Sequence, residues 1–218
     1  MIKNYKRRTH LKKVLITIGC LLISINTWAA SNATATALNQ KLLQIKTLTA
    51  NFKQTVTNAD GSSLQTSVGK LYIARPGKFR WETSSPIEQK IITNGKTLWI
   101  YEPDLAQVTI RQLTQDLAKT PLLLLTNKDI ALQSEFNVQQ LRSNNYRLTP
   151  KAKQSDFKQI DVGFAGNNQI TSMQLINNLN QKTNIKFSSV RVNPGLSDKL
   201  FTFKVPPHVD VIDTTKKS

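Results

Sequence analysis

The chain has 218 residues, and its 30 Lys and Arg outnumber 13 Asp and Glu to give a formal charge of +17. One cysteine and 39% hydrophobic residues allow an apolar core, but exclude an intrachain disulfide and a cysteine metal cluster. Such a basic chain calls for an anionic partner or a solvated basic face.

The N-terminus divides into three zones. Lys3, Lys6, Arg7, Arg8, Lys12 and Lys13 form a basic start, Val14 to Ile25 is mostly apolar, and Asn26-Thr27-Trp28-Ala29-Ala30 offers small residues for cleavage. This is the pattern of a secretory signal, with the cut expected between Ala29 and Ala30. The apolar run is short of the roughly 20 residues that a membrane anchor needs. Cys20 lies inside that run, with Thr17 where a lipoprotein signal would carry a large aliphatic residue, so it is expected to leave with the signal. Residues 1–29 are therefore expected to be a cleaved signal peptide and 30–218 a single exported domain in the periplasm. Cleavage removes six basic and no acidic residues, leaving 189 residues with a charge of +11.

Ser31 to Ala37 reads as a flexible lead-in. Leu38, Leu42 and Ile45 then recur at helical spacing, which predicts a short helix over 36–47. From Thr49 the period becomes two, with Ala50, Phe52, Gln54 and Val56 on one face. A turn at 58–63 precedes a strand over 64–74, where Gly69 suggests a bulge. Pro76-Gly77 turns the chain into Lys78-Phe79-Arg80-Trp81-Glu82. Strands at 90–94, 97–101 and 107–112 follow, the first two joined by an Asn94-Gly95 hairpin signal. Such short turns require antiparallel pairing.

Alternation breaks between Gln112 and Asn127, where Leu113 and Leu117 fit one helical face and Pro121 can start a second short helix. Strands resume near 135–141, 145–149, 157–164, 170–177, 183–192 and 200–204. The sum is a mainly β (α+β) domain of about eleven strands in a curved antiparallel sheet, with two or three short helices. Those helices cannot cover so much sheet, so the sheet either packs its own interior or stays half open around a cavity.

Catalytic constellations are missing from this reading. His208 is the one histidine after the signal and sits beside Pro206-Pro207, which suits a surface residue. Glu102 and Asp104 flank Pro103 in an expected turn, where solvated carboxylates are the simpler reading than a glycosidic pair. No Gly-rich phosphate loop, nucleophile elbow or metal-ligand spacing occurs. Phe79 and Trp81 interleave with Lys78 and Arg80, but strand alternation puts the rings and the charges on opposite faces, so nucleic acid is not an expected partner. The expectation is no enzyme, no cofactor and no metal.

Five segments in order carry a resemblance: Arg75-Pro76-Gly77-Lys78-Phe79-Arg80-Trp81, Lys96 to Pro103, Thr120-Pro121-Leu122-Leu123-Leu124-Leu125, Leu148 to Ala152, and Phe201-Thr202-Phe203. Together they resemble the periplasmic outer-membrane lipoprotein carrier family, LolA, from about residue 35 to 213. The resemblance implies an unclosed antiparallel β-barrel with a lid of short α-helices over an apolar cavity for acyl chains. It implies a monomer that takes acylated lipoproteins from an inner-membrane lipoprotein-releasing ABC transporter to an outer-membrane receptor lipoprotein.

Arg75 matches the arginine that ties lid to barrel, a role suited to the five donors of a guanidinium. Phe79 matches an aromatic that takes part in docking to the transporter. Phe52, Trp81, Leu113, Leu117, Leu122, Leu123, Leu125 and Met173 are assigned on the same basis to the acyl cavity. Two other classes remain open at this point: a lipid- or lipoprotein-sensing module on the same fold, and a secreted hydrolase with carboxylates converging inside.

Overall fold

A computed structural model describes residues 26–113, 126, 132–142, 144–166 and 168–215, with side chains from residue 33 onward. Helix α1 (Asn26–Gln44) opens the described chain. It starts well before the expected 36–47, in residues read as a flexible lead-in. Ala33, Ala35 and Ala37 explain the difference, since alanine is the strongest helix former. Ala35, Leu38 and Leu42 share one stripe and are buried. Asn193 ends the helix: its Nδ2 donates to Gln44 O at 3.0 Å, and its Oδ1 accepts from Lys46 N at 2.8 Å and Thr47 N at 3.2 Å. One amide thus sets both the last turn of α1 and the start of the first strand.

Six strands follow as a meander: β1 (Thr47–Thr57), β2 (Ser63–Ala74), β3 (Lys78–Ser85), β4 (Gln89–Asn94), β5 (Thr97–Glu102) and β6 (Gln107–Gln112). After α2 (Leu132–Glu135) a second meander runs through β7 (Phe136–Arg142), β8 (Asn145–Pro150), β9 (Phe157–Phe164), β10 (Ile170–Asn177) and β11 (Lys182–Val192). Pairing of β1 with β11 joins the two meanders into one sheet. A twelfth strand, β12 (Asp210–Asp213), lies parallel to β6 at one edge, and β7 is the other edge. The two edges do not pair with each other, so the sheet is unclosed.

Two expectations change at the C-terminus. Residues 200–204 do not form a strand: Asp198–Phe201 is a 3-10 turn, and the chain continues irregularly to β12. Phe201 and Phe203 alternate because they pack, not because they pair. Phe201 is 1% exposed and Phe203 lies 5.3 Å from the Tyr101 ring. Register places Ile92, Tyr101 and Val108 on the sheet face opposite Phe79 and Trp81. The C-terminal segment therefore covers the outer face of β3–β6, held by Lys78 Nζ to Asp198 Oδ1 at 2.7 Å and Arg80 Nη1 to Leu200 O at 3.0 Å.

The inner face holds the main core. One cluster runs from Leu48 and Phe52 on β1 through Ile73, Trp81 and Tyr146 to Met173 and Ile185, and α1 and α2 close over part of it. Gly69 on β2 is what lets the aromatic part of this core form. A Cβ there would fall 1.8 Å from Glu82 O and 2.6 Å from the Phe52 ring. The expected bulge is present beside it, as a register shift between Val68 and Gly69 against β3. Gly69→Ala is expected to lower stability by about 3 kcal/mol through overpacking. Urea unfolding should show a lower midpoint at unchanged slope, and an unmoved midpoint would mean that the strand yields freely.

Candidate functional site

The inner face is most distinctive where β1, β2 and β3 meet. Phe52 reaches across the gap at Gly69 and stacks on Trp81, with ring centroids 3.6 Å apart and planes at 23°. Phe79 extends the row, 6.4 Å from Trp81 at 21°. All three rings are buried, and Ile73 and Ile91 flank them through cross-strand register. Aromatic rings stacked on an inner sheet face give a flat, rigid, apolar floor. Such a floor can receive an aliphatic chain with no polar group to desolvate.

Beside this floor three chain segments converge. Arg75, at the end of β2, donates its backbone N–H to Lys46 O at 2.8 Å, which ties the β2–β3 turn to the junction of α1 and β1. Gly77, in the left-handed region at φ +70°, donates to Thr126 O at 2.9 Å. Leu113 N donates to Lys96 O at 2.7 Å, so the segment after β6 leaves from the β4–β5 turn. Thr126 is fully buried. The connection between β6 and α2 is therefore pinned at Thr126 against the turn that carries Arg75. The Arg75 guanidinium is half-buried, and that desolvation pulls it down to about 10, below the ordinary arginine range.

Several residues singled out from sequence come together here. Phe52, Trp81 and Met173 are buried in the inner cluster, and Leu113 packs against it half-buried. Met173 pairs with Val162 and Ile185, on the far side of β1 from Trp81. Leu117, Leu122, Leu123 and Leu125 lie outside the described residues. Phe79 is inside the core at 3% exposure, stacked on Trp81. Sequence reasoning missed the part played by Gly69, although a lone glycine in a strand facing a Phe on the next strand was a readable sign.

Candidate chemistry elsewhere does not assemble. Glu102 Oε1 accepts from Gln89 Nε2 at 3.2 Å, and Asp104 is exposed in a 3-10 turn. His208 is exposed in a turn at φ +61°. Among the described residues no three His, Cys, Asp or Glu side chains group as metal ligands. None of the described helices is long and apolar enough to cross a membrane.

Comparison with known proteins agrees with this arrangement. Residues 43–204 match the family described as "Outer membrane lipoprotein carrier protein LolA". An outer-membrane lipoprotein carrier protein of Hahella chejuensis is 38% identical over 205 residues, covering 92% of this chain and 98% of the relative. One of Pseudomonas paraeruginosa is 40% identical over 187 residues, covering 84% and 89%. Among solved structures, an uncharacterized conserved protein from Thermus thermophilus shares the fold at a TM-score of 0.53 and 10% identity, over 82% of this chain and 98% of that one. An open twelve-stranded sheet, an aromatic inner floor and a match across most of the chain converge on one answer: the chain belongs to the LolA family of outer-membrane lipoprotein carriers.

Proposed function

We infer that the chain is a periplasmic shuttle, exported by residues 1–29, whose mature part shelters lipoprotein acyl chains on the inner face of its sheet. It receives acylated lipoproteins from an inner-membrane ABC transporter and delivers them to an outer-membrane receptor lipoprotein, working as a monomer without catalysis. The observation that carries this reading is the Phe52–Trp81–Phe79 floor on the apolar face of a sheet whose edges stay apart. Each methylene moved from water onto such a floor gains about 0.8 kcal/mol, so a few acyl chains supply ample affinity.

Release is then the harder step, and the hinge at Arg75 addresses it. Cargo displaces the segment pinned at Thr126, and Arg75 biases that segment back over the floor once the cargo leaves. Leu113, Leu117, Leu122, Leu123 and Leu125 supply the apolar face that exchanges places with the acyl chains, and Met173 lines the far side. Phe79 contributes to transporter docking when the cover is displaced, since its ring is enclosed in the covered state.

Two measurements test this. The purified chain should hold a triacylated lipopeptide in solution after detergent removal, with Phe52→Ala and Trp81→Ala each weakening retention about tenfold or more. Depletion in the source cell should leave lipoproteins in the inner membrane, and normal sorting would sink the reading.

The Arg75 role separates from stability. Its folded pKa lies below the free value, so the folded chain binds fewer protons than the unfolded chain from about pH 10 up to the ordinary arginine range. Stability from this group therefore rises as pH climbs through that window, and at neutral pH desolvation of the charge is a standing cost. Arg75→Met should leave the melting temperature within about 3 °C or raise it, while slowing cargo release. A much larger fall in melting temperature with normal release would assign Arg75 to the fold alone.

A further inference from the structure

The outer face of the β7–β11 half carries a groove of about 410 Å³. Its polar lining lies on the side opposite the core, since Asn145, Gly163, Ser172 and Lys186 alternate with the buried Tyr146, Val162, Met173 and Ile185, the last three of which also border the groove. Register aligns Arg142, Asn145, Gly163, Ser172 and Lys186 as one row across five neighbouring strands. A second row, Arg147, Asp161, Gln174 and Asn184, runs beside it. Gly163 forms the floor: a Cβ there would come within 2.6 Å of Ser172 Oγ and 2.8 Å of Asn145 Oδ1.

The charge of this groove is one-sided. Asp161 is its one lining carboxylate, and Arg147 already engages it through Nε and Nη2, both at 2.8 Å, with Gln159 Nε2 at 3.0 Å. Arg142 stands at one end and Lys186 at the other. Lys53 on β1 sits directly opposite Lys186, both are exposed, and neither pairs with a carboxylate among the described residues. Like charges in directly opposed strand positions repel, and an anion between them removes the cost.

The shape selects the kind of anion. Five strands about 4.8 Å apart make a row about 19 Å long, which matches roughly six residues of extended polypeptide. A bilayer surface cannot enter a groove, and a single phosphate cannot reach both ends. Gln174, Asn184 and Asn145 offer amides that both donate and accept, as a peptide backbone requires. The other half of the sheet supplies a precedent. There the chain's own C-terminal segment crosses the outer face with Asp198 on Lys78 and a carbonyl on Arg80.

We propose that this outer groove binds an extended acidic segment of a partner polypeptide, with carboxylates at Arg142 and at the Lys53–Lys186 pair. It is independent of acyl binding, which uses the opposite face.

The test uses the purified chain and a fluorescein-labelled Glu-Ser-Glu-Ser-Glu-Ser peptide, followed by anisotropy. Wild type should bind it, and added salt should weaken the complex. Lys53→Gln with Lys186→Gln should cost about tenfold. Lys199→Gln with Lys204→Gln, an equal loss of charge on the other half, should cost about twofold or less. As a converse, Lys53→Glu with Lys186→Glu should lose the acidic peptide and gain a Lys-Ser repeat. Lipopeptide retention should stay at the wild-type level in all three variants. Equal losses in the two Gln variants, equal binding of a Gln-Ser peptide, or groove-dependent binding of phosphatidylglycerol vesicles without peptide binding would each overturn the proposal.

Discussion

A sheet with one apolar face must keep water from that face, and this sheet does so without closing into a barrel. Full closure would have let the interior fill itself by pairing its edges. Here β12 and β7 remain separate edges, and α1 and α2 pack over the β7 end of the inner face. A helix or loop laid on a sheet is held by side-chain packing and a few hydrogen bonds. A closing strand would be held by a whole ladder. The two helices are thus held by fewer hydrogen bonds than a paired strand would be.

The rigidity of the floor depends on a small residue rather than a large one. Phe52 and Trp81 sit two strands apart and could not stack if the strand between them carried a side chain at Gly69. Stacking at 3.6 Å locks both rings flat along the sheet. A flat ring pair presents area without flexible ends, so little side-chain entropy is lost when a ligand arrives. The same geometry makes Phe79 a core residue.

Much of this was legible in sequence because period two is a strong signal when one face is buried. Nearly every strand of the two meanders was expected within one to three residues, and Pro76-Gly77 was placed correctly as the turn between β2 and β3. The misses share a cause. Phe201 and Phe203 alternate like a strand yet report burial against the outer face, since alternation records which side is apolar and not whether the backbone finds a partner. β12 is four residues with exposed side chains, so nothing in its pattern announced it. Ala33 to Ala37 looked polar and small, and only helix propensity argued for α1 extending through it. For the site, Phe52 and Trp81 were named from alternation and resemblance, but their contact was not, because it spans an intervening strand.

The distribution of charge follows from the same architecture. Once the inner face is apolar, the basic residues of the strands can only point outward, and a sheet this wide then gathers them into rows. On β3 the row is neutralised from within, Lys78 by Asp198 and Arg80 by Glu82. On β8 and β9 the Arg147–Asp161 pair does the same locally. At Lys53 and Lys186 the strands instead set two exposed cations at directly opposed positions. An outer face that was merely solvated would gain by alternating signs at such positions. The groove of polar side chains beside that pair gives an anion something to hold.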